Sequence, residues 1–158
     1  MYKDVSKDRR FLELKRILGE LQREYSIPKE DILDACEDVK IPVSLFASGL
    51  SSLEIISKYL IENKARSVTS AAELCGRSKQ GIWQAYREAN KKFSGKFRPA
   101  ISKHDFPAAI IKDRRYSVLE SIVKFLREHH SLAYTRIAGL LNRDQRTVWT
   151  AYNRTKSK

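Results

Sequence analysis

Apolar residues recur at spacings of three and four along most of the chain, the period of helices that bury one stripe. Leu53, Ile56 and Leu60 set this period in one stretch, and Leu119, Ile122 and Leu126 set it in another. Each stretch opens with serine followed three residues later by glutamate, Ser51-x-x-Glu54 and Ser117-x-x-Glu120. That spacing is a capping box, in which the two side chains satisfy the free N–H groups at a helix start. Nearer the N-terminus, Phe11, Leu14, Leu18, Leu21 and Tyr25 form a heptad seam flanked by charges of both signs. The pattern predicts an all-α protein: an N-terminal helical hairpin followed by two repeated units of three helices.

The repeat is direct. Residues 51–92 align with 117–158 without a gap, and fifteen of the 42 positions are identical. Each copy follows a Pro-containing apolar segment, "IPVSLF" or "FPAAII", matched with a one-residue shift. Within a copy, a short second helix is expected to start at Thr69 or Thr135 as N-cap. It should end at Gly76 or Asn142, residues that tolerate a left-handed turn. Ser78 or Asp144 then caps a third helix that carries a Trp-x-x-Tyr pair, Trp83/Tyr86 or Trp149/Tyr152. The predicted division is 1–40 for the helical head, 41–92 and 106–158 for the two units, and 93–105 for a basic linker.

A short helix with a small alanine (Ala72, Ala138), a sharp turn, and a longer polar helix make a helix-turn-helix. "IAGLLNRDQRTVW" (137–149), and more loosely "AAELCGRSKQGIW" (71–83), resemble the helix-turn-helix units of sigma-factor region 4 and of LuxR-type regulators. The resemblance covers about half the chain over both copies. It implies sequence-specific binding of double-stranded DNA, with the third helix of each unit in the major groove. Counting from the caps places Lys79, Gln80 and Gln84 on the reading face of the first unit. Gln145, Arg146 and Thr150 take those places in the second. Arginine and lysine can donate to guanine, and glutamine can pair with adenine. Arg77, Arg87, Lys91, Arg143, Arg154 and Lys156 flank these faces and are expected at phosphates.

Charge sharpens the picture. The chain carries +12, but residues 1–40 sum to −1 and residues 41–158 to +13. A basic body behind a neutral head fits a polyanionic partner. The segment 93–105, "FSGKFRPAISKHD", reads as an extended linker of about 40 Å reach at roughly 3.3 Å per residue. Successive major-groove faces lie about 34 Å apart, so this reach would let one chain engage two turns of a duplex. The head is expected either to pack on the first basic unit or to form a homodimer through Phe11, Leu14, Leu18, Leu21 and Tyr25.

Other chemistry is not expected. Cys36 and Cys75 lack CxxC spacing and read as reduced core thiols. His104, His129 and His130 have no metal-ligand spacing, and His129 and His130 suit a helix end. Trp83 and Trp149 read as core residues. With no phosphate-binding glycine loop, triad or paired carboxylate, neither an enzyme nor a cofactor is expected. No apolar run is long enough for a membrane span and no signal peptide precedes the first charges, so a cytoplasmic location is expected, nucleoid-associated if the source is prokaryotic. Two rivals to a transcriptional regulator stay open: an architectural protein that coats DNA, and an adaptor that docks on RNA polymerase.

Overall fold

The computed structural model describes residues 5–29, 32 and 38–158. The chain forms two units, Met1–Glu37 and Asp38–Lys158. Apart from one two-residue strand pair, the regular structure of the described residues is helical.

The first unit is described mainly by α1, Arg9–Tyr25. Asp8 caps it by accepting from the Arg10 N–H at 2.8 Å, and Ser26 ends it in the left-handed region at φ 53°. Arg16 bridges Glu13 and Glu20, one turn away on either side. No residue of α1 is buried within the molecule. Phe11, Leu14 and Tyr25 are exposed, and Leu18 and Leu21 are half-buried. Most of the second helix expected after Pro28, including Cys36, lies outside the described residues.

The second unit begins earlier than the expected boundary at residue 41. Val39 is buried, and its carbonyl accepts from Ala108 N–H at 2.7 Å. β1, Lys40–Ile41, pairs antiparallel with β2, Phe106–Pro107, placing Ile41 opposite Phe106. A 3-10 turn follows each strand, Val43–Ser48 and Ala108–Lys112. Then come α2 (Ser52–Lys58, continued by a π turn at Tyr59–Asn63), α3 (Val68–Cys75) and α4 (Lys79–Lys92). After β2 and its turn the order continues with α5 (Val118–His129), α6 (Tyr134–Leu141) and α7 (Gln145–Lys156).

The local signals explain these helices. Both capping boxes form: Ser51 and Ser117 accept from the N–H of Glu54 and Glu120, whose carboxylates accept from the serine N–H at 2.9 Å. Gly76 and Asn142 end α3 and α6 at φ 61° and 50°. Ser78 and Asp144 cap α4 and α7 through their side chains. The second-helix caps differ from expectation. α3 starts from Ser67, whose hydroxyl accepts from Ser70 N–H at 3.1 Å, and α6 starts from Ala133 with no side-chain cap. Thr69 and Thr135 therefore sit inside the first turns.

The two sets of helices pack across one another. α3 lies against the 3-10 turn at 108–112, and α6 lies against the turn at 43–48. One apolar core runs through both, from Phe46, Ile55 and Leu60 to Phe106, Ile122 and Leu126. At the α3–α4 turn the approach is close enough that a Cβ on Gly76 would stand 3.0 Å from the Lys112 backbone. Only glycine meets both this spacing and the positive φ.

Segment 93–105 is a clasp, in contrast to the extended linker expected. Phe97 is buried and stacks on Phe93 with ring centroids 5.4 Å apart, while its carbonyl accepts from Asn63 Nδ2. Ser44 Oγ donates to the Ala100 carbonyl and accepts from its N–H, and Asp105 Oδ1 accepts from Val43 N–H. Two aromatic rings and one carboxylate hold down a stretch whose glycine, proline and basic residues suggest slack.

Candidate nucleic-acid interface

α4 and α7 each emerge from a left-handed turn and a side-chain cap, with apolar residues inward and polar residues outward. Ile82, Ala89 and Val148 are fully buried, which fixes the rotation of both helices. Lys79, Gln80 and Gln84 then face solvent on α4, as do Gln145 and Arg146 on α7; Thr150 is half-buried. A groove of about 340 Å³ beside α7 brings Arg146, Thr150 and Arg154 together with Ser117, Leu119 and Glu120 of the α5 start.

The basic residues expected at phosphates divide into two groups. Arg87, Lys91, Arg154 and Lys156 are exposed. Lys91 pairs with Glu88 at 2.7 Å, and the Lys156 ammonium lies 5.0 Å from the Tyr152 ring centroid.

Arg77 and Arg143 are not placed for phosphates. Both are half-buried and turned into the protein. Arg77 Nη2 donates to the carbonyls of Ile111 and Tyr116 at 3.2 and 3.3 Å, and Arg143 Nη2 donates to that of Leu50 at 2.9 Å. Each follows a left-handed turn that aims its side chain at the other set of helices, where a bare carbonyl waits. The signal was their identity at equivalent positions just after the turn, a place that an apolar residue would otherwise fill.

The tryptophans also depart from expectation. Trp83 is 46% exposed and Trp149 52%, because Ile82 and Val148, one residue earlier, occupy the core direction. Trp83 lies against Tyr86, with centroids 5.6 Å apart. The surface carries two large aromatic side chains beside the polar faces.

Acidic side chains anchor the ends of both helices. Lys92 pairs with Glu54 and Lys158 with Glu120, each at 2.7 Å. Burial pushes both carboxyls up, but the lysine ammonium and the capping-box N–H more than reverse it, so both pKa values lie below the ordinary glutamate value. Sequence reading missed Lys58. It is fully buried, with its ammonium on Glu62 at 2.9 Å, on Asn90 Oδ1, and 5.9 Å from the Phe93 and Phe97 ring centroids.

Burial pushes the Cys75 thiol up to about 12, which keeps it protonated. His104 is buried beside His130, with centroids 5.1 Å apart, and burial lowers its pKa. No described group of three or more His, Cys, Asp or Glu could hold a metal ion. No helix of the described residues is long and apolar enough to cross a membrane. Comparison with family models, curated proteins and solved structures gives no match.

Proposed function

We propose that residues 38–158 bind double-stranded DNA, with α3–turn–α4 and α6–turn–α7 as two helix-turn-helix units of a sequence-specific transcriptional regulator. One observation carries the reading. Lys79, Gln80 and Gln84, and Gln145 and Arg146, are exposed on two helices that each start from a left-handed turn, in a body of charge +13 beyond residue 40. These side-chain types hydrogen-bond base edges in the major groove. Arg87, Lys91, Arg154 and Lys156 supply the phosphate contacts; Arg77 and Arg143 brace the protein. The α1 seam of Phe11, Leu14, Leu18, Leu21 and Tyr25 is assigned to packing within the chain or to homodimerisation. No catalytic role is proposed.

The test is selection of bound duplexes from a randomised pool, followed by sequencing. An enriched motif supports the regulator, and a flat profile with salt-dependent binding points to an architectural protein. A second reading draws on the exposed Trp83 and Trp149: tryptophan is enriched at energetically central positions of protein interfaces. It assigns α4 and α7 to a protein surface such as RNA polymerase, and absence of duplex binding in the selection favours it.

A further inference from the structure

We infer that the DNA target is an imperfect inverted repeat, met by α4 and α7 on one side of the molecule; this rests on the duplex reading proposed above. Two basic units joined by a slack linker would accept direct repeats at variable spacing. The contacts of the second unit describe a different object.

The main packing contacts between the two sets of helices either meet their own counterpart or occur twice with the partners exchanged, although the Arg77–Ile111 hydrogen bond has no such twin. β1 pairs with β2 antiparallel, and α2 meets α5. α3 packs on the turn at 108–112, while α6 packs on the turn at 43–48. Arg77 reaches the Tyr116 carbonyl, while Arg143 reaches that of Leu50. Reciprocal contacts of this kind belong to a twofold axis, because a head-to-tail arrangement uses each surface once.

The same contacts fix the relative direction of α4 and α7. The stretch Leu50–Glu54 holds Arg143, just before α7, and Lys92, at the end of α4. The stretch Tyr116–Glu120 holds Arg77, just before α4, and Lys158, just after α7. The start of each helix thus lies beside the end of the other, and the pair is antiparallel. Two antiparallel segments exchanged by a twofold axis require that axis to be perpendicular to the plane containing both. Whatever α4 presents along the axis, α7 presents in the same direction.

B-DNA has twofold axes of its own, perpendicular to the helix, and they relate the two strands. A protein dyad laid on a DNA dyad reads one half-site on each strand, which is an inverted repeat. The halves are unlike, because Lys79, Gln80 and Gln84 stand where Gln145, Arg146 and Thr150 stand on the other side. The palindrome is therefore imperfect. Its spacing is rigid, because the core of residues 38–158 is continuous and segment 93–105 is pinned.

The experiment uses the full chain and the motif enriched from the randomised pool. Its half-sites are rebuilt as four duplexes: inverted, direct, inverted with half a helical turn inserted, and one half-site alone. Fluorescence anisotropy at fixed salt should show the inverted duplex binding at least tenfold tighter than the direct one. The insertion should reduce binding to the single-half-site level. Equal affinity for direct and inverted duplexes, or indifference to the insertion, overturns the dyad and leaves duplex reading standing. A pool that yields no motif removes base reading, and the inverted target falls with it.

Discussion

Arg77 and Arg143 stand 66 positions apart, and two of the carbonyls they bind, those of Tyr116 and Leu50, are also 66 apart. Each guanidinium crosses from one set of helices to the other. Two arginines that look like phosphate contacts in the sequence are cross-braces in the fold. This changes what their removal does. Arg77→Ala or Arg143→Ala should lower stability by about 2 kcal/mol, the scale of a part-buried hydrogen bond to a charged group. The salt dependence of duplex binding should hardly move. Denaturant unfolding and a salt titration on each variant separate the two roles; unchanged stability with a flatter salt slope would return both residues to the phosphates.

Gly76 and Gly49 have similar positive φ, 61° and 75°, but different surroundings. A Cβ at Gly49 meets nothing within 4 Å, whereas one at Gly76 meets the Lys112 backbone at 3.0 Å. Gly49→Ala should cost only the left-handed penalty of about 1–2 kcal/mol. Gly76→Ala should cost clearly more, because backbone on both sides must shift. Thermal unfolding of the two variants gives the comparison, and equal losses would contradict the close approach.

Glu54 and Glu120 make stability depend on pH in a defined direction. Their folded pKa values lie below 4.5, so the stabilisation is complete above that value and is lost as pH falls through the folded values. The melting temperature should therefore drop more steeply below about pH 4.5 in the native chain than in the Glu54→Gln/Glu120→Gln variant. At pH 7 the variant should be the less stable protein. Parallel melting curves from pH 6 to 3 would exclude these two carboxyls as the acid-sensitive groups.

If α4 and α7 read a duplex as proposed, the two helices should not act alike. Asp144 gives α7 a firm cap and Arg146 can fork onto guanine, while α4 opens with Lys79-Gln80-Gly81. Arg146→Ala should relax preference at one base pair by about 1–3 kcal/mol. Lys79→Ala should weaken all duplexes by a similar factor and reduce the salt slope by about one. Binding of both variants to a selected site and to scrambled DNA, over a range of salt, checks the assignment. The opposite pattern would exchange the roles of the two helices.

What the sequence made legible was local. Capping boxes, left-handed turns and the caps of α4 and α7 each depend on a few adjacent residues, and they are found where the pattern puts them. The reach of Arg143 to Leu50 spans 93 residues, and no periodicity encodes it. In segment 93–105 the composition is dominated by residues such as Gly95 and Pro99, although Phe97 and Asp105 hold it in place. Trp83 and Trp149 each follow a core residue and precede a tyrosine by three, a spacing that suggests packing, but a helix has one inward direction at each turn, and Ile82 and Val148 occupy it.

The crossing of the chain at Val39–Ala108 and β1–β2 also sets how residues 38–158 come together in time. Helical proteins usually fold fast because their contacts are local. Here α3 finds its packing surface only after residues 108–112 arrive, and α6 finds its own only against residues 43–48. The loop closures must precede the contacts that reward them. Residues 38–158 should therefore gain their helices as one slow cooperative event, with neither set of three helices persisting as a native intermediate.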